Sequence, residues 1–267
     1  MAMGLKKSWN LLKIYDLMII ALLVLTAYNL YTSGLSPVMS IISLVLTACV
    51  IDSVINYIRE KRLFFPKSAL ITALILGLIV QASVLFLVII AAVAILSKHV
   101  IKIKGRHVFN PANFSLFVAL FLPVSESWWG MSNSLLVAVF GLIIVYKLKR
   151  YHQVLPFIAI NAALMLFILS GSAVADHVTS GLLLFFVFYM LIEPVTSPVQ
   201  KKSRIIFGAL VSVFAAILYV VWLPGAFVGS LFLADIFVPV LDRVFGPKIV
   251  KETSIAPTMP SQTSTSV

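Results

Sequence analysis

The sequence is poor in charged residues and nearly free of cysteine. Only 11% of its 267 residues are charged, 61% are hydrophobic, and the mean hydropathy is +1.11. A soluble domain needs more charge at its surface, so this composition excludes one and indicates a polytopic helical membrane protein. The single cysteine, Cys49, lies within an apolar run, which excludes an intrachain disulfide.

Motifs of soluble enzymes are absent as well. The four histidines and one cysteine form no compact metal motif, and there is no phosphate-binding loop, Ser-His-Asp pattern or dinucleotide fingerprint. We therefore expect no metal centre and no direct binding of NADH. A net charge of +11 is also typical of nucleic-acid-binding proteins, but here the charges follow membrane topology, so we expect no nucleic-acid partner.

About ten apolar segments fill most of the chain, and we expect an all-α fold in which they span or enter the lipid bilayer. The third and fifth segments are short, because about 15 residues at ~1.5 Å each reach only ~22 Å of a ~30 Å hydrocarbon core. These two are candidate half-helices. The segments run roughly 14–33, 37–58, 67–81, 83–98, 111–124, 133–147, 153–171, 178–193, 204–222 and 224–242.

The segments form a single transmembrane domain over residues 1–252, with halves at roughly 14–124 and 133–242. The first segment lacks a clean cleavage site, so we interpret it as a retained span and not as a signal peptide. Residues 253–267 are polar and rich in Ser, Thr and Pro, a composition that predicts a disordered cytoplasmic tail.

Lysine and arginine are absent from one set of loops. All 20 of them precede the first segment or follow an even-numbered one, whereas the loops after odd-numbered segments carry Glu126 and Asp176. The positive-inside rule therefore predicts a multi-pass protein of the cell membrane, with an even number of crossings and both termini in the cytoplasm.

A faint internal repeat relates the two halves. Pro224 follows Pro111 by 113 positions, Phe227 follows Phe114 by the same distance, and this offset also superimposes 68–81 on 181–194. Each half would contain five segments, an odd number, so the halves would have opposite orientations. We expect a five-plus-five inverted repeat with its site near the midplane, between the halves.

The stretch 97–116 is the most informative part of the chain. Its first half is basic, and its second half begins a helix that Asn110 can cap, with Pro111 at the first helical position and Asn113 one turn later. Helix ends within a membrane are tolerated only where they are buried in protein or line a cavity. This stretch is therefore a candidate binding site, although capping alone would also explain both asparagines.

Glu193 lies at the end of the eighth segment, next to Pro194, and Thr196 and Ser197 add hydroxyl groups before Pro198. A carboxylate within a broken backbone can bind Na⁺ or a proton. In the alternative interpretation, Glu193 is an interfacial residue paired with a nearby base: Lys201, Lys202 or Arg204.

Asp235 lies well inside the tenth segment and Asp52 inside the second. A charge at such a depth costs at least ~2.5 kcal/mol, so we expect both to face the protein interior. With Glu193 they form a candidate ion pathway. His99 and His107 flank the basic loop, and we interpret that region as a plain loop in preference to a haem site.

Three stretches resemble the RnfD/NqrB family, the membrane subunits of two redox-driven ion pumps: the Rnf complex and the sodium-translocating NADH:quinone reductase. The resemblance covers roughly residues 66–243. The stretches are Ser68 to Leu76; Lys98-His99, Gly105 and Phe109-Asn110-Pro111-Ala112; and Glu193-Pro194-Val195-Thr196-Ser197-Pro198 followed by Gly208-Ala209-Leu210.

This resemblance implies flavin-linked electron transfer coupled to Na⁺ or H⁺ movement, a urea-channel-like fold, and partner subunits that are membrane proteins, flavoproteins or iron–sulfur proteins. The family's pump subunits attach FMN to a Thr in a Ser-Gly-Ala-Thr motif. No such motif is present here, so we expect a non-covalent flavin, FMN or riboflavin. The residues implied to bind it are Thr72, Lys98, Asn110, Pro111, Asn113, Thr196 and Ser197.

Two other functions remain open at this point. The missing attachment motif favours a channel or transporter for a small solute, such as a flavin or a urea-like molecule, without redox activity. A purely structural subunit of an assembly would bind neither cofactor nor solute.

Overall fold

The computed structural model of the chain describes residues 13–62 and 65–245. The predicted disordered tail at 253–267 lies outside these ranges. Helices account for most of the described chain, and they agree closely with the predicted apolar segments. They are α1 (Ile14–Ser33), α2 (Val38–Glu60), α3 (Lys67–Ile79), α4 (Val84–Val100), α5 (Pro111–Ala119), α6 (Ser134–Leu148), α7 (Tyr151–Ile168), α8 (Gly171–Thr179), α9 (Gly181–Phe185, continuing as a π-helix over Phe186–Met190), α10 (Lys201–Val221) and α11 (Ala226–Phe245).

Helix lengths divide these elements into two groups. Within the described residues, five helices are long and apolar enough to cross a membrane: α1, α2, α7, α10 and Leu223–Phe245, which includes a short 3₁₀ turn before α11. The pair α8 and α9 would make a sixth span, bent by 44°. Helices α3, α4 and α6 are shorter apolar helices. The chain is thus a multi-pass membrane protein.

The predicted short segments are confirmed. Helix α3 has 13 residues and α5 has nine, which correspond to about 20 Å and 14 Å of helix. The eighth predicted segment differs from the structure, because residues 171–179 form a separate helix, α8, before the backbone breaks at Ser180. Ser180 ends α8 and caps α9 through its own hydroxyl, which accepts the N–H of Leu183.

Two buried stretches occupy the centre of the bundle. Residues 72–80 at the end of α3 and residues 185–192 in the π-helical region are buried without interruption. Around them, α2 packs against α3 and α4, and α10 packs against α7 and α11. Helix α5 joins the two groups, since it packs against both α4 and α11.

Four two-residue strands depart from the all-α prediction. Strand β1 (Val80–Gln81) pairs antiparallel with β4 (Ser125–Glu126), and β2 (Lys102–Ile103) pairs with β3 (Arg106–His107). The tight turn of the second hairpin has positive φ at both central positions, where glycine or an adaptable residue is needed. The first pair fixes Glu126 at the end of α3, and the second places His107 just before α5.

Helices α7 and α10 pack closely at Gly208. A Cβ atom at this position in α10 would overlap the carbonyl oxygen of Gln153 in α7. Only glycine allows the two helices to approach this closely.

Candidate functional site

The N-terminus of α5 is capped as predicted. The side-chain oxygen of Asn110 accepts the backbone N–H of Asn113 at 3.1 Å, and Pro111 occupies the first turn. Asn110 also donates from its side-chain amide to the carbonyl oxygen of Met190, at 3.0 Å. The cap is therefore held by the π-helical region, which lies 80 residues further along the chain.

Asp235 faces the protein interior, as the sequence predicts. Its side chain is fully buried, and its Oδ2 accepts the backbone N–H of Asn110 at 3.1 Å. A carboxylate at a helix N-terminus benefits from the exposed N–H groups and from the positive end of the helix dipole. Its Oδ1 is also buried but has no hydrogen-bond partner, so this oxygen can accept a proton or a cation.

Asn113 links α5 to α11 one turn further along. Its side-chain amide donates to the carbonyl oxygen of Val228 at 2.9 Å, and its side-chain oxygen is buried without a partner. Asn113 and Asp235 each leave one acceptor oxygen open within the bundle.

Glu193 pairs with His107 across 86 positions of the chain. Its Oε1 lies 3.2 Å from His107 Nε2, and its Oε2 lies 3.5 Å from the Thr196 hydroxyl. The alternative, in which Glu193 pairs with Lys201, Lys202 or Arg204, is wrong because the observed partner is a histidine. His107 lies in strand β3 of the short hairpin, so the region predicted as a plain loop is a hairpin whose histidine has a specific partner.

Glu193 and His107 line a cavity of about 90 Å³, which we call the inner cavity. Thr72, Asn110 and Pro111 also line it. The inner cavity thus brings together five residues considered in the sequence analysis. The volume accommodates about three water molecules at ~30 Å³ each, whereas pockets for organic ligands usually exceed ~300 Å³. The Thr72 hydroxyl donates to the carbonyl oxygen of Ser68 in the preceding helical turn.

Arg106 holds the turn that follows Glu193. Its guanidinium donates to the carbonyl oxygen of Val195 at 2.6 and 3.1 Å, and to that of Ser197 at 3.0 Å. The remaining terminal nitrogen donates to Asp242 at 3.1 Å. Ser197 is engaged as well, since its hydroxyl accepts from Gln153 and lies 3.3 Å from the carbonyl oxygen of Leu191.

Two further arginines bind the same turn. Arg150 donates to the carbonyl oxygens of Pro194 and Pro198, and Arg204 donates to that of Pro198 at 3.0 Å. Burial, followed by the nearby guanidinium groups of Arg204 and Arg106, lowers the pKa of Arg150 to about 10, so it stays charged at neutral pH. This role of the arginines was not predicted from the sequence, although a proline-rich turn after a helix leaves carbonyl groups that need donors.

Asp52 belongs to a different cluster. It is 3% exposed, and its Oδ1 lies 2.8 Å from Lys98 Nζ and 2.7 Å from His99 Nε2. The predicted interior position of Asp52 is confirmed. His99 also has a specific partner, because it contacts this carboxylate. Neither Asp52 nor Lys98 lines the inner cavity.

A second cavity, of about 750 Å³, lies at the opposite end of α3 from the inner cavity. We call it the outer cavity. Ser68, from the first turn of α3, lines the inner cavity, whereas Glu126 lines the outer cavity and pairs with Val80, the residue that follows α3. Its other lining residues include His177, Tyr219 and Phe227. The two cavities therefore lie toward different ends of α3.

These features define a class of protein: a polytopic helical membrane protein in which a broken-helix N-terminus contacts a buried carboxylate between two groups of helices. Proteins built in this way use such sites for ions and small solutes.

The chain belongs to the NQR2, RnfD, RnfE family, whose profile matches residues 5–129 and 114–251. The resemblance drawn from the three sequence stretches is thereby confirmed.

Similar proteins include the RnfD subunit of the ion-translocating oxidoreductase complex from Methanosarcina acetivorans, which is 26% identical over 261 residues and 88% of each chain. The corresponding subunit from Actinobacillus pleuropneumoniae serotype 5b is 28% identical over 145 residues. That match covers 50% of this chain but 39% of the Actinobacillus protein, so the present chain spans about two fifths of that relative's length.

Proposed function

We propose that the chain is the membrane subunit of an Rnf- or Nqr-like electron-transport system in which flavin-linked electron transfer is coupled to cation movement. Membership of the family and the names of the relatives as subunits of an ion-translocating oxidoreductase complex support this function. The structural observation that carries it is Asp235, a fully buried carboxylate with one open oxygen at the N-terminus of α5.

The proposed cation route enters at the inner cavity. Glu193 and His107 line its wall, and Asn110 lines it as well. The backbone N–H of Asn110 contacts Asp235, so a cation that reaches the cavity is one residue away from the buried carboxylate. A carboxylate at this depth costs at least ~2.5 kcal/mol to insert, which favours a functional reason for its presence.

We further propose ten membrane segments arranged as a five-plus-five inverted repeat, with both termini in the cytoplasm. Helices α1 to α5 correspond in order to α6, α7, α9, α10 and α11, with first residues 113–120 positions apart. The packing supports this correspondence, since α4 packs against α2 and α5 as α10 packs against α7 and α11. The first residues of the uninterrupted buried stretches 72–80 and 185–192 are also 113 positions apart.

A non-covalent flavin, FMN or riboflavin, remains part of the proposal, but the residues around the inner cavity do not fit one in this conformation. The cavity would have to widen more than threefold to reach the ~300 Å³ typical of organic ligands. Lys98 forms an ion pair with Asp52, and the Ser197 hydroxyl accepts a hydrogen bond from Gln153. We therefore derive no electron-transfer step through these residues.

The flavin is tested by an absorbance spectrum of the detergent-purified chain, recorded before and after acid precipitation. We expect a yellow protein that releases its flavin into the supernatant. Flavin retained in the pellet would contradict non-covalent binding, and a colourless protein in repeated preparations would contradict the flavin altogether.

The second candidate function is a channel or transporter for a small solute, flavin or urea-like. The two cavities at opposite ends of α3 favour it, because both a channel and a carrier need access from each side. Solute uptake into liposomes that contain the chain alone, without a redox partner, would support this function over the first.

A further inference from the structure

We propose that the polar route continues from Asp235 through Asn113 to the outer cavity, where Glu126 is the group that exchanges a proton with the outer solution. This inference rests on the proposed function and deepens it, since it names the ion as H⁺ and assigns the site at the far end of the route.

The contacts between the two cavities are continuous. Asn110 lines the inner cavity, and its side-chain oxygen accepts the N–H of Asn113. Asn113 in turn donates to the carbonyl oxygen of Val228, and Val228 lines the outer cavity. One turn of α5, about 4.5–6 Å of helix, thus separates Asn110, which lines the inner cavity, from Asn113, whose partner Val228 lines the outer cavity.

Acceptor oxygens without donors mark this route. Within the part of the chain that the structure describes, Asp235 Oδ1, Asn113 Oδ1 and Glu126 Oε1 are buried and have no hydrogen-bond partner. Leaving such an acceptor unpaired costs about 1–3 kcal/mol, a cost that a bound proton or a bridging water removes. The three oxygens lie near the inner end, in the middle and at the outer end of the proposed route.

Glu126 is positioned by the strand pair at the end of α3, where it lies opposite Val80. The other titratable groups that line the outer cavity are His177 and Tyr219, and its lining among the described residues includes neither lysine nor arginine. His177 is held by Asn161 at 3.0 Å. No lysine or arginine of this described lining therefore stabilises a carboxylate at Glu126.

A proton suits this site better than a metal cation. Burial raises the pKa of Glu126 to about 8, with the Trp128 side chain partly offsetting the effect. The acid therefore gains and loses its proton close to neutral pH. Glu126 is also the single carboxylate among the described residues of the cavity lining, whereas hard metal cations take about six oxygen ligands.

The test is labelling of the wild-type full-length chain in liposomes with dicyclohexylcarbodiimide, which reacts with protonated carboxylic acids in apolar surroundings. We expect mass spectrometry to find the label on Glu126 near pH 7, with labelling that falls about tenfold per pH unit well above pH 8 and that is unchanged by Na⁺. Asp176, an exposed acid at the same end of the bundle, is the internal control and should remain unlabelled. Absence of label from Glu126, or protection by Na⁺, would overturn the proposal.

A second measurement tests whether Glu126 lies on the proton route. In membrane vesicles that contain the assembled complex, Glu126→Gln should slow proton release on the outer side at least tenfold, while Asp176→Asn should leave it unchanged. Normal proton release from a folded Glu126→Gln variant would overturn the outer exit without affecting the proposed function. Because the labelling needs neither partners nor electron transfer, failure of the proposed function would leave the label on Glu126 in place.

Discussion

Glu193 and His107 lie 3.2 Å apart, and this pair joins the turn after the π-helical region to the strand that precedes α5. The two residues belong to opposite halves of the chain, and both line the inner cavity. The entrance of the proposed cation route is therefore built from an acid and a base that contact each other.

Substitution of Glu193 by Gln should impair ion coupling before it affects folding. Glutamine keeps the size of the side chain and one acceptor oxygen for His107, but it removes the negative charge that would attract a cation. We expect cation translocation per electron to fall about tenfold in vesicles, with normal thermal unfolding of the purified variant. Unchanged coupling would remove Glu193 from the route.

Substitution of Arg106 by Lys should destabilise the protein. Arg106 donates to two carbonyl oxygens of the turn after Glu193 and to Asp242, and a lysine ammonium cannot reproduce that planar fork. We expect a loss of about 1–3 kcal/mol, because part-buried carbonyl groups lose their donors. Thermal unfolding in detergent measures the loss.

Lys104→Ala, at an exposed position in the same hairpin, is the matched control and should change the stability little. Equal stability of the Arg106→Lys variant and the control would show that the guanidinium does not support the turn.

The contribution of Glu126 to protein stability should fall as the pH rises from about 5 to about 8. Its pKa of about 8 in the folded protein lies above the ordinary value of 4.5, so the folded state binds more protons than the unfolded state between these values. Glu126→Gln should flatten the dependence of the thermal midpoint on pH over this range.

Asp176→Asn serves as the comparison for this measurement, since Asp176 is exposed and should leave the slope unaltered. A slope that stays the same in Glu126→Gln would mean that the carboxyl group is not protonated in the folded state.

Asp52 should be needed for stability because of its partner Lys98. Asp52→Leu would leave a buried ammonium without a counter-charge, and we expect a loss of about 3–5 kcal/mol. The double variant Asp52→Leu, Lys98→Met removes both charges and should recover a large part of that loss. If the two variants unfold at the same temperature, the ion pair does not contribute in this way.

Much of the fold was predictable from the sequence, because apolar length and charge position are local properties. The segments, the short α3 and α5, the Asn110 cap and the interior position of Asp235 all follow from such properties. The separate helix α8 was not predicted, since its break at Ser180 involves no proline. Its high content of small and polar residues was the available signal.

The partners of the site residues were not predictable in the same way. Arg106 reaches carbonyl groups 89 and 91 positions away, and His107 reaches Glu193 across 86 positions. A single sequence gives no direct information on contacts at such separations. The histidines and arginines therefore resemble loop residues in the sequence, although in the structure they pair with acids or bind the carbonyl groups of a turn.

The most direct test of the proposed cation route is the ratio of cations translocated to electrons transferred in vesicles that contain the assembled complex with Asp235→Asn. Asparagine has nearly the same size and keeps an oxygen that can accept the N–H of Asn110, so the fold should persist. We predict that cation translocation falls at least tenfold while electron transfer continues. A ratio equal to that of the wild-type complex would contradict a cation route through Asp235.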